Sequence, residues 1–249
     1  SFREYLLLYH NIEIPRYSLE DILTNPQEIA FAVRDKCFPL EHFSAYLQKG
    51  YYPFGVEGFN SYYQRIESIA DLLLNIELPQ LRGVDVGNIR KLKALLAVIS
   101  TEVPMLVDVS KLSAFIGVSR ITLLAYLQYL HEAKLIRLLY SDDLSVKKMQ
   151  KPDKILMENT NLLQALSLKE PNIGTMRETF FCNQLGYKHQ VEYNKSGDFL
   201  IDHRLVFEIG GKAKDGKQVA QNENAYIAAD DIDYPMGNKL PLWMFGLMY

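Results

Sequence analysis

Two acidic residues and a lysine in the last third of the chain have the types and spacing of a metal-dependent hydrolytic site. Asp198 lies at the start of one strand-like segment, Glu208 lies in the next, and Lys212 follows four residues later. Carboxylate oxygens are ligands that Mg²⁺ prefers, and the bound ion activates water and neutralises charge on a phosphate. A nearby lysine stabilises the same charge. The three residues therefore suit phosphodiester hydrolysis.

Two neighbouring strands must position these carboxylates. Residues 197–202 and 205–209 are strand-like, which predicts a pair of strands joined by a short hairpin loop centred on His203. In such a hairpin Asp198 lies directly opposite Glu208, on the same face of the sheet. The hairpin would therefore bring the two carboxylates together.

Two supporting groups complete the candidate catalytic set. Glu178 lies in a predicted helix over residues 175–185, and Gln218 lies in a helix that follows the second strand. Acidic residues are common on solvent-facing strands, so a solvated strand face is the alternative explanation of the whole pattern.

The middle of the chain predicts a winged helix-turn-helix. An apolar stripe over residues 89–99 predicts one helix, a second runs from 110 to 115, and Gly117 ends it in a left-handed cap. Ser119 then caps a third helix. Residues 135–140 predict a strand, and the turn and returning lysine-rich segment after it predict a β-wing.

The charge of residues 88–154 favours double-stranded DNA as a partner. Eleven Lys and Arg face six Asp and Glu there, whereas the whole chain has a net charge of −3. Arg120 and Thr122 stand at the start of the third helix, where a recognition helix reaches base edges. Phosphate contacts would come from the wing lysines Lys147, Lys148 and Lys151. A winged helix that only packs or docks is the alternative.

Length and composition indicate an ordinary globular protein of more than one domain. The 249 residues are 48% hydrophobic and 23% charged. The predicted fold class is multidomain α+β, in which a helical segment (1–87) and the winged helix (88–154) precede a small mixed sheet (155–249). The histidines and the two cysteines have no metal-ligand spacing, so neither zinc nor a disulfide framework is expected. Without a signal peptide or a membrane-spanning stretch, no membrane partner and a cytoplasmic location are expected.

Stretches along the whole chain resemble the C-terminal part of a prokaryotic AAA+-type ATPase family. The resemblance implies a helical lid remnant over 1–87, then a winged helix, then a nuclease-like domain. Asp198, Glu208 and Lys212, with the preceding Glu178, resemble the PD-(D/E)XK restriction-endonuclease-like fold. The matching stretches are Ser-Phe-Arg-Glu-Tyr-Leu at 1–6 and residues 46–53, 117–120, 174–180 and 241–243.

In that family the first of these stretches follows the ATPase core directly, so the resemblance implies that this chain lacks the core. The sequence agrees, because it contains no GxxxxGK[ST] phosphate-binding loop. ATP would then bind only through a missing N-terminal ATPase domain, which is the implied partner, and this chain would not hydrolyse ATP alone.

One position departs from the nuclease pattern. The lysine that usually follows the glutamate by two residues is replaced by Gly210, and a second glycine makes a bulge or break expected. Lys212 keeps the strand parity, whereas Lys214 or Lys217 could reach in instead. An active Mg²⁺-dependent nuclease, a nuclease fold without activity and a protein-docking or sensor module therefore stay open as interpretations.

Overall fold

The chain folds into two compact units of mixed helix and strand. The terminal unit joins Ser1–Phe59 to Ile173–Tyr249, and the central unit is Asn60–Asn172. The described residues contain eleven α-helices and two β-sheets, which confirms the predicted α+β class. The computed structural model describes residues 1–82, 86–141, 151–215 and 224–249.

This division differs from the three segments predicted from the sequence. Helix α1, Phe2–His10, packs against the C-terminal residues Leu242–Leu247, so the N-terminal helices belong to the same unit as the C-terminal sheet. Helix Tyr62–Leu72 instead packs against Thr160–Leu166 inside the central unit. Both groupings depend on contacts between residues far apart in sequence.

Serine caps start two of the N-terminal helices. The Ser1 hydroxyl accepts the N–H of Glu4 at 3.2 Å, and the Ser18 hydroxyl accepts the N–H of Asp21 at 3.1 Å. The segment contains α1, α2 (Leu19–Thr24), α3 (Pro26–Arg34), α4 (Pro39–Lys49) and a 3-10 turn at Pro53–Glu57.

The central unit places two capped helices before a β-hairpin. Gly117, at φ 71°, ends α8, and the Ser119 hydroxyl accepts the N–H of Thr122 at 3.1 Å to start α9, so both predicted caps are confirmed. The antiparallel sheet has the order β1-β3-β2. The elements are α5 (Tyr62–Leu72), a π-helical segment (Leu73–Glu77), α6 (Leu78–Arg82), α7 (Val86–Glu102), β1 (Met105–Leu106), α8 (Val109–Ile116), α9 (Arg120–Glu132), β2 (Ile136–Leu139), β3 (Lys154–Met157) and α10 (Thr160–Leu166).

In the described part of the chain, no single helix is long and apolar enough to cross a membrane. Helices α8 and α9 pass that test of length and composition only as a pair, and the pair is bent by 92°.

A five-stranded sheet forms the rest of the terminal unit. Its order is β4-β5-β6-β7-β8; β4, β5 and β6 are antiparallel, whereas β6, β7 and β8 are parallel. Phe199 pairs with Phe207, which confirms the predicted hairpin with His203 in its loop. The elements are α11 (Ile173–Leu185), β4 (Val191–Tyr193), β5 (Phe199–Ile201), β6 (Leu205–Gly210), β7 (Ala225–Ala229), β8 (Lys239–Pro241) and a 3-10 segment (Leu242–Leu247).

Helix α11 packs against one face of this sheet through aromatic rings. The ring of Phe181 lies 5.5 Å from that of Phe199 and 4.9 Å from those of Phe207 and Phe245, measured between centroids. All four side chains are fully buried. The opposite face of β5 and β6 carries the candidate catalytic residues.

Close packing of the chain ends predicts a cost for adding one methyl group at Gly246. A Cβ there would lie 2.5 Å from the Cβ of Phe2 and 3.1 Å from the Phe180 ring. We therefore expect Gly246→Ala to lower the free energy of unfolding by about 1–3 kcal/mol through overpacking. Chemical denaturation measures this change, and an unchanged midpoint would contradict the packing.

Candidate functional site

The structure places Asp198 next to the strand that carries Glu208. Asp198 precedes β5, and its N–H donates to the carbonyl of Phe207 at 2.9 Å. Its Oδ2 accepts the N–H of Ile209 at 2.6 Å. The paired register of β5 and β6 reaches Phe199 and Phe207, so Asp198 lies one residue beyond it, beside Phe207 and Glu208. Both candidate carboxylates therefore belong to the region where β5 and β6 adjoin, and Asp198 is bonded to the residue that follows Glu208.

Glu208 is buried in an apolar part of the sheet. The residue is only 1% exposed, and Val206 and Ile227 on the same face belong to a buried apolar cluster. Its Oε1 lies 2.7 Å from Nζ of Lys214. Its Oε2 is buried and has no hydrogen-bond partner among the described residues. One oxygen is thus neutralised, whereas the other keeps an acceptor capacity that the described protein does not use.

Lys214 supplies the amine at this site. The hydrogen bond to Glu208 is the largest cause that raises the pKa of Lys214; burial opposes it, and the charges of Glu208, Asp198 and Asp215 add to it. Nearby negative charge favours the protonated amine. Lys214 therefore lies in the field of both candidate carboxylates, and we call Asp198, Glu208 and Lys214 the carboxylate–lysine cluster.

Lys212, the predicted lysine, lies elsewhere. It is exposed in a turn after the end of β6, and its carbonyl accepts a hydrogen bond from Nζ of Lys239 at 3.1 Å. Lys212 was predicted because alternate residues of a strand share one face, but strand β6 ends at Gly210 and this alternation ends with it. The chain then turns, and Lys214 reaches back instead.

Gly210 makes room for Lys214. A Cβ added at Gly210 would lie 2.8 Å from both Cβ and Cγ of Lys214, so the lysine stem runs across the glycine backbone. A lysine at position 210 would collide with that stem. The path of the Lys214 stem therefore depends on the absence of a side chain at position 210.

An arginine that sequence reasoning missed holds the end of β6 in place. Nε of Arg177 on α11 lies 2.9 Å from Oδ2 of Asp230, and Nη2 lies 3.1 Å from Oδ2 of Asp231. The N–H of Asp230 donates to the carbonyl of Gly210 at 2.8 Å. A Cβ at Gly211 would lie 2.9 Å from Nη1 of Arg177. The only sequence signal was an arginine directly before Glu178 and an acidic pair after an apolar strand.

The remaining predicted catalytic residues are Glu178 and Gln218, and the hairpin loop places His203 near neither of the two carboxylates of the cluster. Glu178 follows Arg177 on α11 and is half-buried. Gln218 and Lys217 lie outside the described residues. His203 lies in the hairpin loop, at the opposite end of the strands from Asp198, and its Nδ1 is 3.0 Å from Oε2 of Glu192.

The predicted DNA-contacting residues lie in the central unit. Arg120 is the first residue of α9 and is exposed, whereas the hydroxyl of Thr122 is 2.8 Å from that of Ser119 and belongs to the helix cap. Lys151 is exposed and precedes β3. Ile121, beside Arg120, is 82% exposed. Lys147 and Lys148 lie outside the described residues.

The described residues contain no group of three or more His, Cys, Asp or Glu side chains that could hold a metal ion. Mg²⁺ does not need such a group, because it is bound through one or two carboxylates together with waters and substrate phosphates. Asp198 and Glu208 are the two carboxylates that could serve in this way, and Oε2 of Glu208 has no hydrogen-bond partner among the described residues.

Lys214→Met tests the role of this lysine in the fold. We expect it to lower the free energy of unfolding at pH 7 by about 1–2 kcal/mol, a value reduced by the partial exposure of the lysine. The exposed Lys212→Met is the matched control and should change it by less than about 0.5 kcal/mol.

The contribution of Lys214 to the free energy of unfolding should decrease at high pH. Because the folded state raises the pKa of Lys214, its stabilising effect is complete below the unfolded value of about 10.4 and is lost as the pH rises through the folded value. Chemical denaturation from pH 7 to 11 should show the two variants converging in alkali. Equal stability at pH 7 would contradict the ion pair.

Comparison with known proteins adds a family but no activity. The chain is 25% identical over 254 aligned residues to "Uncharacterized protein MJ1637" of Methanocaldococcus jannaschii. The alignment covers 93% of this chain and 54% of the relative. It thus spans about half the length of that relative. No solved structure matches the chain significantly. Residues 40–172, more than half of the chain, match the family described as "Domain of unknown function (DUF8612)", and the chain belongs to that family.

Proposed function

We propose that the terminal unit carries a Mg²⁺-dependent phosphodiesterase site that acts on nucleic acid. The observation that carries this proposal is the meeting of Asp198, Glu208 and Lys214 at one end of the β5–β6 hairpin. Two carboxylates beside an ammonium group suit a divalent cation and a phosphate that bind together. The resemblance to the restriction-endonuclease-like fold supports the same chemistry.

Asp198 and Glu208 would hold the ion. The protein already fixes one oxygen of each carboxylate, through the N–H of Ile209 and through Nζ of Lys214. A buried acceptor left unpaired costs about 1–3 kcal/mol, so Oε2 of Glu208 favours binding of a cation. When bound, Mg²⁺ supplies Lewis-acid polarisation of the phosphate and a more acidic water.

The protein's own groups would orient the reactants. The amine of Lys214, held protonated by the two carboxylates, would stabilise negative charge that develops on the phosphate. The hydrogen bond from Ile209 keeps Asp198 turned toward Glu208. The ion pair of Arg177 with Asp230 holds the end of β6 against the residues that follow β7. These contacts fix the cluster before substrate binds.

Cleavage assays with two carboxylate variants test this proposal. We expect the wild-type chain to cleave plasmid DNA or labelled oligonucleotides in Mg²⁺ or Mn²⁺. Asp198→Asn and Glu208→Gln should slow cleavage about 100-fold or more. Asp233→Asn, which changes a carboxylate of the same unit outside the cluster, should cleave at the wild-type rate.

Two results would contradict the proposal. One is the absence of metal-dependent cleavage by the wild-type chain on DNA and RNA, both single- and double-stranded. The other is full activity in variants whose circular dichroism and thermal unfolding match those of the wild type.

We also propose that the central unit binds duplex DNA. Its order of helix α7, strand β1, helices α8 and α9, and hairpin β2–β3 is the order found in winged helices. The cap formed by Ser119 leaves Arg120 exposed at the start of α9, where recognition helices contact base edges. The exposed Lys151 lies on the segment that returns to β3 and suits a phosphate contact.

Salt-dependent binding measures this second function. Arg120→Ala and Lys151→Ala should each weaken duplex binding several-fold, and Lys151→Ala, which removes a phosphate contact, should also lower the slope of log affinity against log salt by about 1. Lys169→Ala, a cation of the same unit paired with Glu102 at 3.0 Å, is the control and should bind as the wild type does. Fluorescence anisotropy gives both quantities, and affinity indifferent to salt and to both substitutions would exclude this role.

In the full-length protein we propose that this chain works beside an AAA+-type ATPase domain in the cytoplasm. The support is the resemblance of stretches that include 1–6 and 174–180, and the relative from Methanocaldococcus jannaschii is long enough to contain such a domain. ATP would then be bound by that domain.

A further inference from the structure

A second cleft in the terminal unit lies apart from the carboxylate–lysine cluster. Its volume is about 660 Å³, within the range of small-molecule sites. Leu205 and Tyr226 line it, and both lie on the face of the sheet that carries Phe207, whereas Glu208 points to the opposite face. The cleft is therefore independent of the proposed catalytic residues.

Three cationic side chains surround this cleft without salt bridges. Arg16, Lys188 and Arg204 line it, all three are exposed, and none forms a salt bridge with a described residue. The amine of Lys188 lies 5.3 Å from the ring centroid of Tyr249. Unpaired cations from three separate segments around one concave surface create a local positive potential in a chain whose net charge is −3.

The acidic residues of the cleft do not cancel this charge. Of its two carboxylates, Asp202 is already bonded through Oδ2 to Nδ1 of His189 at 2.7 Å and through Oδ1 to the N–H of Gln190 at 2.9 Å. Burial would raise the pKa of Asp202, but these hydrogen bonds and the charges of His189 and Arg204 lower it overall. Glu20 is the other carboxylate. The cleft therefore has three cationic side chains and two carboxylates, and one of these carboxylates, Asp202, is already hydrogen-bonded to His189 and Gln190.

The backbone that presents Arg204 is held in an unusual conformation. Asp202 and His203 have φ values of 51° and 56°, and the N–H of Arg204 donates to the carbonyl of Ile201 at 3.0 Å, which closes a turn within the three-residue loop between the paired Ile201 and Leu205. Glycine and asparagine are the usual residues in such loops, because other side chains are strained there. The bonds of Asp202 to His189 and Gln190 stabilise this loop, so Arg204 projects from a fixed base.

The rest of the cleft suits a flat organic group. Leu19, Leu23 and Met248 give it apolar walls, and the ring of Tyr226 is fixed by stacking on Phe207, with 5.5 Å between centroids. Guanidinium groups bind phosphate oxygens in pairs, and lysine adds a point charge. We propose that this cleft binds a nucleotide, with its phosphates against Arg16, Lys188 and Arg204 and its base against the apolar wall.

Calorimetric titration of the whole chain with ATP and AMP tests the proposal, with adenosine and inorganic phosphate as the partial ligands. We expect at least one nucleotide to bind with a dissociation constant of about 1 mM or tighter, and both partial ligands to bind more weakly. Arg16→Gln and Arg204→Gln should each weaken binding roughly tenfold, which is the loss of one charge-assisted contact.

Two controls separate this site from others. Lys195→Gln removes an exposed cation of the same unit outside the cleft and should leave nucleotide binding unchanged. Asp198→Asn should also leave it unchanged, so that failure of the proposed nuclease does not affect the result. Absence of binding by both nucleotides, equal affinity in the arginine variants, or adenosine or phosphate binding as tightly as the nucleotides would each overturn the inference.

Discussion

The ion pair between Glu208 and Lys214 is the interaction on which the candidate catalytic site depends. A carboxylate that is 1% exposed among apolar side chains is stable only if a cation or several hydrogen bonds compensate for its lost hydration. Lys214 provides that compensation at 2.7 Å. Its stem can reach Glu208 only because Gly210 has no side chain. Three features that look unrelated in the sequence, namely a buried acid, a glycine and a later lysine, are therefore one arrangement.

The sheet topology explains why this arrangement lies where it does. Strand β6 pairs in antiparallel fashion with β5 and in parallel with β7, so its carboxyl end lies beside both the start of β5 and the end of β7. Asp198 comes from the first neighbour, and Asp230 follows the second. The ion pair between Arg177 and Asp230 joins α11 to the residue that follows β7.

Local sequence patterns predicted part of this site, and long-range packing decided the remainder. The alternation around Asp198 and Glu208 predicted their pairing because a strand's period of two residues determines which side chains share a face. The same period suggested Lys212 and failed there, because β6 ends at Gly210 and periodicity does not extend into a turn. The caps at Gly117 and Ser119 were predictable, since each depends on residues a few positions away. The joining of Ser1–Phe59 to the C-terminal sheet was not, because it depends on contacts such as that of Phe2 with Gly246.

The central claim is that Asp198 and Glu208 together hold a divalent cation next to Lys214. Anomalous scattering from crystals soaked in Mn²⁺ tests it most directly, because the metal can be located without any assumption about substrate. The account predicts a peak about 2.0–2.2 Å from a carboxylate oxygen of each residue, with Oε2 of Glu208 among the ligands. Crystals in which Mn²⁺ is absent from both carboxylates, while Nζ of Lys214 stays on Glu208, would contradict it.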